Sequence, residues 1–134
     1  MASILKVDEM QGVTSAGDIT ITSEGGSATQ SLQQGLAKAW ASLVQTSTQT
    51  LNDSLNVTSI TDNGTGETTV TYTNVMSNSN YSSQATIGNN QNRKVIYNAN
   101  NTTRLKLEVW EHASNPLTAD DAAHVCGQVT GDLA

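Results

Sequence analysis

His112 and His124 are the only imidazoles in the chain, and acid–base chemistry near neutral pH would start from them. A nucleophile, base and acid can be assembled on paper from Ser54, His124 and either Asp120 or Asp121. No nucleophile elbow or comparable local frame surrounds Ser54. His124-Val-Cys126 sets an imidazole and a thiol at i and i+2, on one face of a strand, but a structural zinc site takes four such ligands. A metal on a three-fold axis, with one His from each subunit, stays open at this level. Asp120-Asp121 and the Glu108 and Glu111 carboxylates would suit calcium or the cleavage of a glycosidic bond. Their simpler reading is solvated charge on loops and strand edges. Asp62-Asn-Gly-Thr-Gly66 carries the residues of a tight reversal and the spacing of neither a P-loop nor an EF-hand. The expectation is a non-enzymatic protein with no cofactor, no metal and no catalytic residues.

The elements that would position such groups are poor in apolar material. Hydrophobic residues make up 36% of the 134, aromatic ones 4%, and Phe is absent. Ser, Thr and Asn together supply roughly a third, well above ordinary usage. Thr on a half-solvated face is at home in β-sheet. Charged residues are 13%, which is not the composition of a charge-extended disordered chain. A core this thin is easier to complete between subunits, so an oligomer is expected. The net charge is −6, and six basic residues spread along the chain make no track for phosphates. Nucleic acid is therefore not an expected partner. Cys126 is the single cysteine, so no internal disulfide forms. The opening Met1–Met10 lacks the apolar stretch of a signal peptide, and no segment approaches the roughly 20 apolar residues of a membrane span. Synthesis in a cytoplasm without membrane insertion is expected.

Periodicity gives the outline. Leu5 and Val7, then Ile19 and Ile21, alternate with polar neighbours as short strands in a lead-in punctuated by glycines. Ser27 and Gln30 have the spacing of a capping box, and Leu32, Leu36, Ala39, Trp40 and Leu43 follow at helical spacing. Gly35 weakens that helix, which either continues or stops near Lys38 with Ala39–Gln45 as a strand. Its apolar stripe packs either on the domain's own sheet or round a shared three-fold axis. Residues 46–54 read as a polar link. The segment 53–73 reads as a hairpin, with Leu55 and Val57 on one face of its first strand, Val70 and Tyr72 on one face of its second, and Asp62–Gly66 as the turn. Further strands are predicted at Tyr81–Ile87, around Val95 and Tyr97, at Leu105–Val109 and over about 122–130, with turns at 88–92 and 98–102 and a loop at 111–121. Trp110 falls on the polar face of its strand, which calls for a second sheet or a partner subunit over it. Seven or eight short strands with turn signals between them predict an antiparallel β-sandwich or jelly-roll-like domain with an extended N-terminal segment and one short helix.

Several blocks, taken in order, resemble the tail-fibre and minor-tail-like virion structural proteins of tailed bacteriophages. They are Leu5-Lys-Val-Asp8, Leu32-Gln-Gln-Gly-Leu-Ala-Lys-Ala-Trp40, Asp53-Ser-Leu-Asn-Val57 with Thr61-Asp-Asn-Gly-Thr-Gly66, Asn78-Ser-Asn-Tyr81 and Gly131-Asp132. Departures from that pattern lie at Leu55, where the family usually has an aromatic, at Glu67-Thr68, and after Trp40, where Ala-Ser-Leu-Val replaces a more aromatic stretch. The resemblance implies a trimeric β-rich protein built into a virion, with no catalytic residues to carry over. The expected organisation is a docking or trimerisation segment over residues 1–45 and a sandwich over 53–134. Expected partners are further copies of the chain, other proteins of the tail, neck or capsid, and a host surface saccharide. A capsid decoration or head-fibre protein is the alternative. Leu32, Leu36, Trp40, Leu43 and Trp110 are the expected subunit contacts, as large apolar groups on otherwise polar elements.

Overall fold

The computed structural model describes residues 4–14, 19–88, 92–97, 101–112 and 116–134. Two compact units divide the chain, Met1–Leu36 and Ala37–Ala134.

In the first unit β1 (Thr20–Thr22) pairs antiparallel with β2 (Thr29–Ser31), with Ile21 opposite Gln30. Gly26 turns the chain between them at φ +73° and donates its N–H to the Ser23 carbonyl at 2.8 Å. The helix expected here is a single turn, α1 (Leu32–Gly35). Its N-cap is Ser31, whose hydroxyl accepts from the Gln34 N–H, so the Ser27 capping box is not the one used. Leu36 leaves the helix with extended backbone. The lead-in strand predicted at Leu5 and Val7 is not formed. Ile4, Leu5, Val7, Met10 and Val13 are all exposed.

The second unit is an antiparallel sandwich. Its strands in chain order are β3 (Ala37–Val44), β4 (Thr50–Leu55), β5 (Val57–Gly64), β6 (Glu67–Tyr72), β7 (Ser82–Ile87), β8 (Arg93–Tyr97), β9 (Arg104–Glu111), β10 (Thr118–Ala119) and β11 (Val125–Thr130). One sheet has the order β4-β3-β11-β7. In the other, β5 pairs β6, β6 pairs β9, and β8 takes the far edge of β9. Glu108 pairs with both Glu67 and Ile96, and Glu111 with both Arg93 and Thr118. Hence β6 and β10 lie end to end along one edge of β9, and β8 runs along the opposite one. Of the two courses left open after Gly35, the chain takes the strand rather than the continued helix. Ala39, Ala41 and Leu43 alternate inward, so β3 belongs to the sandwich and the boundary falls at Leu36/Ala37 rather than near residue 45.

The two inner faces make the core. Ala39, Ala41, Leu43, Val125 and Val129 face Val70, Tyr72, Leu105, Leu107 and Val109, with Met76 and Ala122 closing the ends. A Cβ on Gly127 would stand 3.2 Å from Leu105 and 3.3 Å from Leu107, so β11 lets the facing leucines close onto its backbone. Tyr72 and Tyr81 meet edge to face with centroids 6.4 Å apart. Burial first, and then the neighbouring Tyr81 hydroxyl, hold the Tyr72 phenol well above the usual phenol range.

The long first strand expected over 53–62 is two strands in different sheets. Asn56 takes the left-handed conformation (φ 56°) at the crossing. Its side chain accepts from the Asn74 N–H at 2.7 Å and donates to the Asn74 carbonyl at 2.9 Å. Leu55 therefore stays on the exterior of one sheet while Val57 packs against the core. Part of the predicted polar link, from Thr50, is β4, and β10 lies inside the predicted loop 111–121. Residues 89–91 and 98–100, at the centres of the predicted turns 88–92 and 98–102, lie outside the described residues.

Candidate functional site

The paper triad is not assembled. Ser54 pairs with inward Ala41, whereas exposed His124 shares the outward parity of Cys126, so the two stand on opposite faces of their sheet. Asp121 accepts the Gly66 N–H at 2.6 Å, and Asp120 is held by the Arg93 guanidinium, whose Nε donates to it at 2.6 Å. Asp121 thus braces the join between β6 and β10, while Asp120 ties the end of β10 to β8 across β9. Gly66 sits at that join at φ +74°, and its carbonyl accepts from Val109 N–H (2.8 Å) and from buried Gln45 Nε2 (3.1 Å). Gln45 also donates to Thr68 Oγ1 and accepts from Ala122 N–H. Glu108 and Glu111 have opposite parity on β9. Glu108 pairs instead with Lys106, which also meets Glu67 at 2.9 Å. Hydrogen bonds to Glu67 and Glu108 raise the Lys106 pKa. His124 Nε2 and Cys126 Sγ are 3.5 Å apart, and among the described residues no group of three or more His, Cys, Asp or Glu could hold a metal.

The expected contact residues separate. Leu43 is fully buried in the core of its own sandwich, so it is removed from the candidate subunit contacts. Leu36 is exposed and Leu32 half-buried, both in the first unit. Trp110 is half-buried on the outer face of the second sheet, between Lys94 and Ala119. Trp40, expected as a contact on a helix, is a strand residue on the outer face of the first sheet.

That outer face carries the most distinctive surface of the sandwich. Cross-strand register aligns Leu55, Trp40, Gln128 and Gln84 in one row over β4, β3, β11 and β7. Two residues along each strand, Asp53, Ser42, Cys126 and Thr86 form a second row. The rows lie about 7 Å apart and each runs about 14 Å, as strand rise and inter-strand spacing require. The central part is an open hollow of about 360 Å³, lined by Trp40, Ser42, Gln84, Thr86, Cys126 and Gln128 with Ala41, Ala85 and Gly127 between them. None of the lining side chains carries a formal charge at neutral pH. Lys38, earlier on β3, is buried, and that burial lowers its pKa against the opposing pull of Asp132.

Sequence reasoning found Trp40 but missed the surface it belongs to. The signal present was period-2 pairing in three places: Trp40 with Ser42, Gln84 with Thr86 and Cys126 with Gln128. Register across the four strands brings them together, and no local pattern encodes it. Comparison with family models, curated proteins and solved structures gives no match. Among the described residues no helix is long and apolar enough to cross a membrane.

Proposed function

We propose that this chain is a non-enzymatic structural protein of a bacteriophage virion. The reading is of a fibre or fibre-like attachment component, docked by its N-terminal unit and presenting its sandwich to the exterior. The observation that carries it is the exposed apolar run Ile4, Leu5, Val7, Met10 and Val13. So many bare apolar groups over so few residues mark a segment that is buried against another surface. The use of charge in the sandwich supports the same reading, since Asp120, Asp121, Arg93, Lys106, Glu67 and Glu108 are engaged in holding strands together. The thin apolar supply supports assembly as a homotrimer, with Leu32, Leu36 and Trp110 as the remaining contact candidates beside the sheet-face residue Trp40.

Locating the protein in imaged particles tests the proposal. A few copies at the tail or neck support the fibre reading. Many copies on the head turn it into capsid decoration, the second reading, and absence from particles rejects both. Sedimentation of the purified chain should give three times the 14.1 kDa chain mass, and a monomer at micromolar concentration would remove the trimer.

A further inference from the structure

We propose that Asn63-Gly64, at the reversal between β5 and β6, is a self-modification site. The Asn63 carboxamide closes on the Gly64 main-chain nitrogen, with the Asp62 carboxylate as base, and residue 63 ends as aspartate or isoaspartate. This chemistry needs no partner and stands apart from the virion reading.

Access comes first. Asn63 is the one asparagine in the chain that is followed by glycine, the residue that crowds ring closure least. Both residues are exposed. A Cβ built on Gly64 would meet nothing within 4 Å, so the approach to its nitrogen is open on that side. The register of β5 against β6 slips between Asp62 and Gly64, which leaves Asn63 without a cross-strand partner. The reacting groups are also held. The Gly64 N–H donates to Asp62 Oδ1 at 2.9 Å, within reach of a general base. Gln49 Nε2 donates to the same oxygen at 2.9 Å and pins the carboxylate there, while Gln49 Oε1 accepts from Thr68 Oγ1 at 2.6 Å. Asn63 Nδ2 donates to Thr69 Oγ1 at 2.7 Å, which orients the carboxamide by its leaving nitrogen. In the reaction the Gly64 nitrogen bonds to Asn63 Cγ and its proton passes to Asp62. The Cγ–Nδ2 bond breaks, and that nitrogen takes the proton back and leaves as ammonia. Water then opens the cyclic imide, at Cγ to give aspartate or at the main-chain carbonyl to give isoaspartate. No electrons are gained or lost. Either product adds one negative charge to a net −6, beside Asp62 and close to Glu67, which pairs with Gly64. Isoaspartate also lengthens the main chain by one carbon. Like charges gathered at one strand end are destabilising, so the modified reversal is looser than the original.

The test incubates the purified full chain at neutral and mildly alkaline pH and follows released ammonia, intact mass and fragment masses. The expected result is the mass gain of an amide turned into an acid, located at residue 63, faster at the higher pH and with isoaspartate in excess. Hydroxylamine, which cleaves cyclic imides, should cut the chain between Asn63 and Gly64. Asp62→Asn keeps an acceptor for the Gly64 N–H but removes the base. It should slow the conversion about tenfold, well short of what a base in a closed site contributes. Gly64→Ala should slow it at least as much, Asn63→Asp should abolish the gain, and Asn78→Asp should leave the rate at residue 63 unchanged. Melting temperatures measured alongside show that each variant is folded. The chain unfolded in urea gives the rate of the bare sequence, and the folded chain should convert faster. The site is overturned if the mass stays constant over weeks, if the gain falls on another asparagine, or if Asp62→Asn converts at the native rate. It is also overturned if the unfolded chain converts faster, for the reversal then protects Asn63 instead of preparing it.

Discussion

Replacing Gly66 by Ala is expected to be among the most damaging single-methyl changes in the sandwich. The added Cβ would lie 2.5 Å from the Val109 carbonyl oxygen and 2.9 Å from the Asp120 backbone nitrogen. Both obstacles are main chain, so no rotamer change relieves them. The left-handed φ of +74° adds about 1–2 kcal/mol for any L side chain. Moving the turn aside breaks the Val109 N–H and Gln45 Nε2 bonds to the Gly66 carbonyl, each about 1 kcal/mol, and leaves Gln45 buried with an unpaired amide. The total comes to about 4 kcal/mol, a large share of a domain's 5–15 kcal/mol. In urea this moves the unfolding midpoint down by about 2 M. Gly64→Ala in the same turn is the control. It also has positive φ, +116°, but its Cβ would meet nothing within 4 Å, so only conformational strain of about 1–3 kcal/mol applies. Midpoints for Gly66→Ala and Gly64→Ala that agree within error would refute the role given to the β6–β10 join.

Three further outcomes are expected. Gly127→Val drives branched methyls into Leu105 and Leu107 and should lower stability by about 1–3 kcal/mol, read from thermal melts, while Gly127→Ala costs less. Gln45→Glu keeps the side-chain shape but loses the donations to the Gly66 carbonyl and Thr68, at about 3 kcal/mol at neutral pH. Burial favours the protonated form of the new carboxyl, so a denaturation series should show partial recovery in mild acid. At alkaline pH the sign follows from Tyr72. Its folded pKa lies above the ordinary phenol value of about 10, so protonated Tyr72 holds the folded state at full strength below about pH 10 and stability declines as pH rises further. Lys106, also raised, acts in the same direction above about pH 10.5, whereas lowered Lys38 opposes it. The stability of the native chain relative to Tyr72→Phe should therefore fall as pH rises above about 10, and a difference flat in pH would remove this account.

The sandwich was legible because its strands carry clean alternation. Leu105, Leu107 and Val109 face inward as their spacing predicts, and the Asp62–Gly66 reversal joins two strands. The failures have identifiable causes. Leu32, Leu36, Trp40 and Leu43 satisfy a helical period by coincidence, whereas Ala39, Ala41 and Leu43 satisfy a period of two and win through burial. Gly35 ends the helix after one turn. Asn56 reads as one more polar residue in a strand, and only its left-handed backbone reveals a change of sheet. The hollow was illegible for a different reason. Its residues come from three strands far apart in sequence, and they meet because the pairings of β11 with β3 and β7 fix one register out of many.

The position of β11 also governs how the molecule comes into being. It lies between β3 and β7, so until Val125–Thr130 emerges from the ribosome β7 has no strand partner in its sheet and β3 is paired on one edge only, by β4. Assembly must wait for a late arrival, which is slow for a chain dominated by distant pairings and leaves bare strand edges in the meantime. Crowded expression should therefore favour one nascent chain lending its late strand to another, and truncation before Val125 should yield aggregate rather than a smaller folded sandwich.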